Sequence, residues 1–133
     1  MVFFEDAYNK GKEHEDEHFI FLQEWSNEPT LKQTKKIFST FDYNSDNIII
    51  ELKKRNFDFG KYEDYMIGLN KINRAQKAKK EIYFIMLFDN GMYSYKYSTN
   101  DTLNYRSGGR KDRGYNEFKK YCYIPMELFI KIK

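Results

Sequence analysis

The chain has 133 residues, of which 41% are hydrophobic and 19% aromatic, and only two are proline. This composition excludes a disordered tail, and the length allows a single domain with one core. A single cysteine, Cys122, excludes an internal disulfide. Neither a secretory signal pattern nor a membrane-spanning run is present, so we expect a reducing, intracellular setting without a membrane.

Charge is distributed unevenly along the chain. Residues 1–30 carry eight acidic residues and two lysines, a net charge of −6, whereas the remaining residues carry +9. A net positive charge over residues 31–133 favours a polyanionic partner, because each contact between a basic side chain and a phosphate releases counterions. A solvated lysine-rich surface is the alternative that has the same composition.

The first half of the chain begins with a predicted helix, from Gly11 to Trp25, which the letters "SNEP" close. From Leu31 the pattern changes to strands, "TLKQTKKIF" and "STFDY", then the turn "NSDN" and the strand "IIIELKKR". No repeat or linker divides the chain, so we predict one domain over residues 1–133.

The second half continues the same α/β pattern. We predict a short extended piece that ends at Gly68, followed by a helix that Asn70 caps and that ends near Lys80. A hairpin, a basic glycine-rich loop and a final segment complete the chain, with the sequences "EIYFIMLFDNGMYSYKYS", "YRSGGRKDRGYNE" and "YCYIPMELFIKIK".

The first helix contains "HEDEH", His14 to His18, which matches the H-E-x-x-H motif of zinc hydrolases. The two histidines share a helix face, as two zinc ligands must, but the chain has no third histidine, and ordinary packing at the core edge is the more frequent role of such histidines. On a helical wheel, Glu15 is the one acid of this helix inside the apolar arc. A carboxylate buried there needs a partner such as a metal, a lysine or the mouth of a cleft. The alternative is that the edge of the apolar arc is partly exposed to solvent and the carboxylate reaches water.

The segment "FDYNSDNIIIELKKR" carries the stronger constellation. Side chains alternate along a strand, so Glu51 and Lys53 share one face, and Asp42 can reach the same place across the turn. Asp42 and Glu51 would offer oxygens to Mg²⁺, together with the main-chain carbonyl of Leu52. Lys53 would orient or deprotonate an attacking water and stabilise charge on phosphorus. The alternative is a cross-strand salt-bridge ladder on a wet face.

The order of these features resembles the PD-(D/E)xK nuclease superfamily, and in particular its small phage members. The resemblance covers about Gly11 to Lys80. It implies an α/β restriction endonuclease-like fold, in which helices flank a central mixed sheet in the order αβββαβ. It also implies Mg²⁺ as the cofactor, with Mn²⁺ as a substitute.

The same resemblance implies the site residues. "GKEHE" is similar to the family's first helix, whose glutamate would be Glu15 and would assist the metal or its water shell. Asp42, Glu51 and Lys53 would take the main metal and catalytic roles. "MIGLNKINRA" is similar to a segment whose helix lysine would be Lys71, and this lysine would hold the phosphate backbone of the nucleic acid. Two departures concern the aspartate: Phe41 stands where the family has proline, and Asp46 competes with Asp42 for the role, although its place in the turn ranks it second.

The glycine-rich loop adds four cations that we expect to contact phosphates, unless the loop is merely a solvated surface: Arg106, Arg110, Lys111 and Arg113. The sequence therefore predicts a metal-dependent endo- or exonuclease whose expected substrate is DNA. A catalytically inactive nucleic-acid-binding or virion-associated module on the same fold is the first alternative, and the zinc hydrolase is the second. Resolvase-like relatives dimerise, so a homodimer is left open. The residue composition and the resemblance point to a phage or a low-GC bacterium, with action in the bacterial cytoplasm and virion association left open.

Overall fold

The computed structural model describes residues 15–34, 41–108 and 119–133. In the first of these ranges, residues 15–26 form helix α1. The next two strands are short, and β3 is the first long one: β1 is Lys32–Gln33, β2 is Tyr43–Asn44 and β3 is Ile48–Lys54. β4, Asp64–Gly68, then runs directly into α2, Leu69–Lys77. The remaining elements are β5 Glu81–Phe88, β6 Gly91–Lys96, β7 Asn104–Gly108, β8 Lys119–Pro125, a 3₁₀ turn Met126–Leu128 and β9 Ile130–Lys131.

Six of the described strands form a mixed sheet in the order β1-β2-β3-β5-β6-β9. β3 and β5 are parallel, with Glu51 opposite Phe84, and the other neighbours are antiparallel. The parallel pair requires a crossover, which β4 and α2 supply. The predicted central mixed sheet is therefore confirmed, and the αβββαβ order holds for the strands of this sheet, because β4 belongs to a separate sheet.

A second, smaller sheet in the order β4-β8-β7 was not predicted. Part of the expected basic loop belongs to it, because residues 104–108 are strand β7 and pair with β8, with Arg106 opposite Tyr121. The loop prediction was wrong for these residues. Pairing with a neighbouring strand decides the conformation of such a polar segment, and its own composition does not show that neighbour.

Two hydrophobic clusters hold three layers together. α1 packs its Leu22 against one face of the six-stranded sheet, where Ile50 is fully buried. The other face, which includes Phe84, packs against α2 and the inner face of the small sheet, where Ile72 and Cys122 are buried. This confirms the predicted apolar arc of the first helix in its described part. Within the described residues, neither helix has the length and apolar character needed to cross a membrane.

Helix α2 differs from its prediction at both ends. Gly68 takes the N-cap position without a side-chain hydrogen bond, and Asn70 lies inside the helix, so the predicted Asn70 cap was wrong. The Oδ1 of Asn70 folds back so closely that a Cβ at residue 68 would lie 2.8 Å from it. The helix ends at Lys77 rather than near Lys80, because the chain must enter β5, where the Glu81 N–H donates to the Asn47 carbonyl.

Candidate active site

Strand β3 presents the candidate catalytic residues. Ile48, Ile50 and Leu52 are buried on the side of α1, whereas Glu51 and Lys53 point to the opposite face, as the alternation predicts. Lys53 is exposed, and Glu51 retains only 14% of its side-chain surface. A central strand of the sheet therefore fixes the two side chains in neighbouring positions on the same face.

Asp42 lies beside Glu51 because β2 and β3 are antiparallel. Tyr43 is opposite Ile50, so the next position back along β2 is next to Glu51. The backbone of β3 holds Asp42 in place: the Asp42 N–H donates to the Ile50 carbonyl at 3.1 Å, and its Oδ2 accepts a bond from the Leu52 N–H at 2.7 Å. The Asp42 carboxylate is thus anchored at the strand edge that also carries the Leu52 carbonyl.

Lys71 completes this group from α2. Its Nζ lies 3.2 Å from the Glu51 Oε2 and 5.6 Å from the centroid of the Phe41 ring. Burial raises the pKa of Glu51 to about 8, and Asp42 adds to the rise, while Lys71 and Lys53 oppose it. The structure therefore places Lys71 in direct contact with the predicted catalytic glutamate, and the Lys71 side chain retains 22% of its surface.

A cleft of about 290 Å³ opens in front of these residues, between the large sheet, strand β4 and the start of α2. Glu51, Lys53 and Lys71 line it, together with Arg55. Arg55 donates from its Nη2 to the Met66 carbonyl at 2.8 Å, and burial lowers the pKa of this guanidinium. This bond links Arg55, which directly follows β3, to strand β4 across the cleft. The Arg55 guanidinium is thus a further cation near Lys53.

Three polar lining residues had no predicted part in the site: Arg55, Tyr121 and Asn70, which was predicted only as a helix cap. Arg55 had a visible signal, since it lies two residues after Lys53 on the same strand face. Tyr121 had none, because it reaches the cleft only through the pairing of β8 with β4. A second cavity of about 490 Å³, which Lys120 lines, shares Asn70 and Tyr121 with the cleft.

Glu15 is half-buried at the start of the described part of α1. The Tyr43 hydroxyl donates to the Glu15 carbonyl, and burial raises the pKa of Tyr43 with further contributions from the Glu15, Asp42 and Asp16 charges. Glu15 and Asp42 therefore lie near the same phenol. Within the described residues, however, no three His, Cys, Asp or Glu side chains are grouped closely enough to hold a metal without rearrangement.

The predicted nucleic-acid contacts are only partly described. Arg106 is exposed on β7, where its guanidinium binds the Asp64 carboxylate at 2.7 Å and lies 3.8 Å from the centre of the Tyr123 ring. The other three, Arg110, Lys111 and Arg113, lie outside the described residues.

The competing candidates gain little from the structure. His14 also lies outside the described residues, and His18 is buried at the core, 3.8 Å from the exposed Glu17 carboxylate. Asp46, the competitor of Asp42, is exposed in the turn before β3, where its N–H donates to Thr30 Oγ1.

The donor set fits a hard divalent cation. Asp42 and Glu51 offer carboxylate oxygens side by side, and the raised pKa of Glu51 indicates a site that favours neutralised charge. A cation bound there would take the place of the proton and release the repulsion between the two carboxylates.

A family model described as "Phage putative PDDEXK endonuclease" matches residues 10–132, which include every site residue named above. A search of curated proteins found no match, and neither did a search of solved structures.

Proposed function

The chain belongs to the phage PDDEXK endonuclease family, and from this premise we propose that it hydrolyses phosphodiester bonds of DNA in the cleft beside β3. One observation carries the proposal: Asp42, Glu51 and Lys53 meet at one edge of β3, with Lys71 bonded to Glu51. Two acids and an amine in this arrangement suit the hydrolysis of a phosphodiester, where a negative charge must be stabilised as it grows.

Asp42 and Glu51 would hold Mg²⁺, or Mn²⁺ as a substitute, together with the carbonyl of Leu52. Bound there, the cation supplies Lewis-acid stabilisation of the phosphate oxygens. The hydrogen bond from the Leu52 N–H keeps one Asp42 oxygen directed at the strand and leaves the other available as a ligand. Lys71 limits the rotation of Glu51 through its 3.2 Å contact, so both carboxylates are oriented before substrate arrives.

Lys53 would act on the reacting groups themselves. It is the exposed cation of the site, two residues beyond Glu51, so its ammonium reaches the space where the scissile phosphate enters. There it orients the attacking water and stabilises the charge that develops on phosphorus. Glu15 would have the supporting role that the family resemblance suggests, since its charge and that of Asp42 both act on the Tyr43 hydroxyl.

Cleavage assays test the proposal. Labelled single-stranded, double-stranded and branched DNA and RNA are incubated with Mg²⁺, Mn²⁺ or EDTA, and wild type is compared with Glu51→Gln and Lys53→Met. We expect cutting of DNA that needs the divalent cation and falls at least a hundredfold in both variants, about the size of a lost electrostatic contact to the transition state.

Matched controls are Glu127→Gln and Lys131→Met, which make the same chemical changes at exposed positions away from the cleft. They should cut like wild type. If wild type cuts no substrate with either metal while it binds nucleic acid in a salt-dependent way, the chain is the inactive binding module and the proposed hydrolysis is wrong. Equal cutting by Glu51→Gln and wild type would refute the assignment of this site.

A further inference from the structure

Helix α2 carries an unusual concentration of positive charge beside the cleft. Between Leu69 and Lys80 there are five basic residues and no acidic one: Lys71, Arg74, Lys77, Lys79 and Lys80. Lys71 belongs to the site already described, and Lys80 donates to the Ser45 carbonyl at 2.7 Å. The other three basic side chains are exposed.

The exposed side of α2 is polar along its whole length. Asn70, Asn73, Arg74 and Lys77 are spaced at i, i+3, i+4 and i+7, so they share one face, and all four are exposed. The opposite face is anchored, because Ile72 and Ala75 are buried in the core. The helix thus presents a row of long polar side chains from a fixed backbone.

The two cations of this row, Arg74 and Lys77, have no acidic partner among the described residues. Lys54, Lys96 and Arg106 each form an ion pair with an aspartate or glutamate. Within residues 15–34, 41–108 and 119–133, neither Arg74 nor Lys77 takes part in an ion pair or a side-chain hydrogen bond. Their guanidinium and ammonium groups are therefore available to a polyanion.

The row is also continuous with the cleft. Asn70 lines both the cleft and the adjoining cavity, and Lys71, one residue later, binds Glu51. A nucleic acid whose scissile phosphate lies at Lys53 would therefore extend along α2. The charge of the row matches the charge of that partner.

The shape and chemistry of α2 select among nucleic acids. A helix is roughly 10–12 Å wide, and the nine residues of α2 span roughly 14 Å. The major groove of B-form DNA is about 12 Å wide and admits a helix, whereas the major groove of A-form RNA is too narrow for side chains to read. Asparagine and arginine are the residues that pair with the major-groove edges of adenine and guanine.

Building on the proposed function, we propose that α2 lies in the major groove of double-stranded DNA during cleavage, with Asn73 and Arg74 at the base edges and Lys77 at a phosphate. The enzyme would then act on duplex DNA in preference to single strands or RNA, and it would read part of the sequence next to the cut.

Binding measurements with EDTA present test this placement. Fluorescent duplex DNA, duplex RNA of the same sequence and single-stranded DNA are titrated with wild type, with Arg74→Ala/Lys77→Ala and with Lys131→Ala/Lys133→Ala. The control pair removes two cations from β9 and the residues after it, at the far edge of the large sheet. We expect the α2 variant to bind duplex DNA about tenfold more weakly than wild type. The slope of its log binding constant against log salt concentration should be smaller by about 1 or 2. The control should bind within about twofold of wild type.

A second probe isolates the groove. A long duplex amplified with 7-deazaguanine and 7-deazaadenine lacks the N7 acceptors of the major groove but keeps the minor groove and the phosphates. Wild type should bind it more weakly than ordinary duplex, and Asn73→Ala/Arg74→Ala should bind the two equally. Equal binding of both duplexes by wild type, or preferred binding of single strands or duplex RNA, would overturn the proposal.

Cleavage by the same variants separates this proposal from the previous one. If wild type and Arg74→Ala/Lys77→Ala cut duplex DNA equally well, the nuclease stands and the role of α2 falls. If nothing is cut but the α2 variant loses binding to duplex DNA, the role of α2 as a DNA-binding helix stands and the nuclease falls. Because the substituted side chains are exposed, unchanged urea midpoints should show that every variant is folded.

Discussion

The carboxyl of Glu51 should make the stability of the metal-free protein fall as pH rises. Its pKa in the folded protein is about 8, against 4.5 in the unfolded chain, so between these values the folded state holds more protons than the unfolded state. The free energy of unfolding must then decrease with rising pH. The contribution of Glu51 is fully retained below pH 4.5 and is lost as pH passes through 8.

The size of the effect follows from the shift. One pKa unit corresponds to 1.36 kcal/mol, so a rise of about 3.5 units corresponds to about 5 kcal/mol. Glutamine at residue 51 resembles the protonated acid and does not titrate. Relative to wild type, Glu51→Gln should therefore gain little at pH 5 and about 3 to 5 kcal/mol at pH 8 and above.

Urea unfolding in EDTA at pH 5, 6, 7 and 8 measures this difference, and Glu127→Gln serves as the control because it neutralises an exposed carboxylate. Plotted against pH, the free energies of unfolding of wild type and of Glu127→Gln should run parallel. The free energy of unfolding of Glu51→Gln should rise relative to both as pH increases. Parallel curves for all three proteins would show that Glu51 is solvated like an ordinary surface acid, and the description of the site as one that disfavours two negative charges would be wrong.

Three further results are expected from the same site. Lys71→Met removes the cation 3.2 Å from Glu51, so the pKa of Glu51 should rise further and the unfolding free energy at pH 8 should fall by about 1 kcal/mol relative to Lys77→Met in urea titrations. Tyr43→Phe loses the hydrogen bond to the Glu15 carbonyl and should lower stability by about 1 kcal/mol at any pH from 5 to 8. Mn²⁺ should raise the melting temperature of wild type but not of Asp42→Asn, and by more at pH 8 than at pH 6, because binding must displace the Glu51 proton.

Local periodicity was enough to predict the strand that carries the candidate catalytic residues. The alternation of Ile48, Ile50 and Leu52 with Glu51 and Lys53 needs no tertiary information, because side chains on a strand must point to opposite faces. Asp42 was also within reach of sequence reasoning, since a short turn fixes which residues of a hairpin lie side by side. These roles remain predictions until the variants are measured, but their placement beside one another is what the hairpin pattern implied.

The wall of the cleft was beyond such reasoning. β7 carries Arg106 and Gly108 and looks like a loop until β8 pairs with it, and Tyr121 joins the site only because it is opposite Gly68 in the small sheet. The Asn70 cap failed for a related reason. β4 passes into α2 without a loop, so the first helical turn begins before the asparagine that the pattern favoured.

The proposed catalytic residues and the wall of the cleft come from different elements of the fold, so substitutions can change one without the other. Asp42, Glu51 and Lys53 belong to one hairpin within the large sheet, so the proposed catalytic residues come from a short contiguous segment. The substrate wall comes from β4, β8 and α2, which contact that hairpin across the cleft through few polar bonds, among them the one from Arg55 to the Met66 carbonyl. Substitutions in this wall can therefore change which nucleic acid enters while the hairpin keeps its geometry. Arg55 is the exception, because it directly follows β3 and also bonds to the wall, so its replacement should disturb substrate binding and cleft width together.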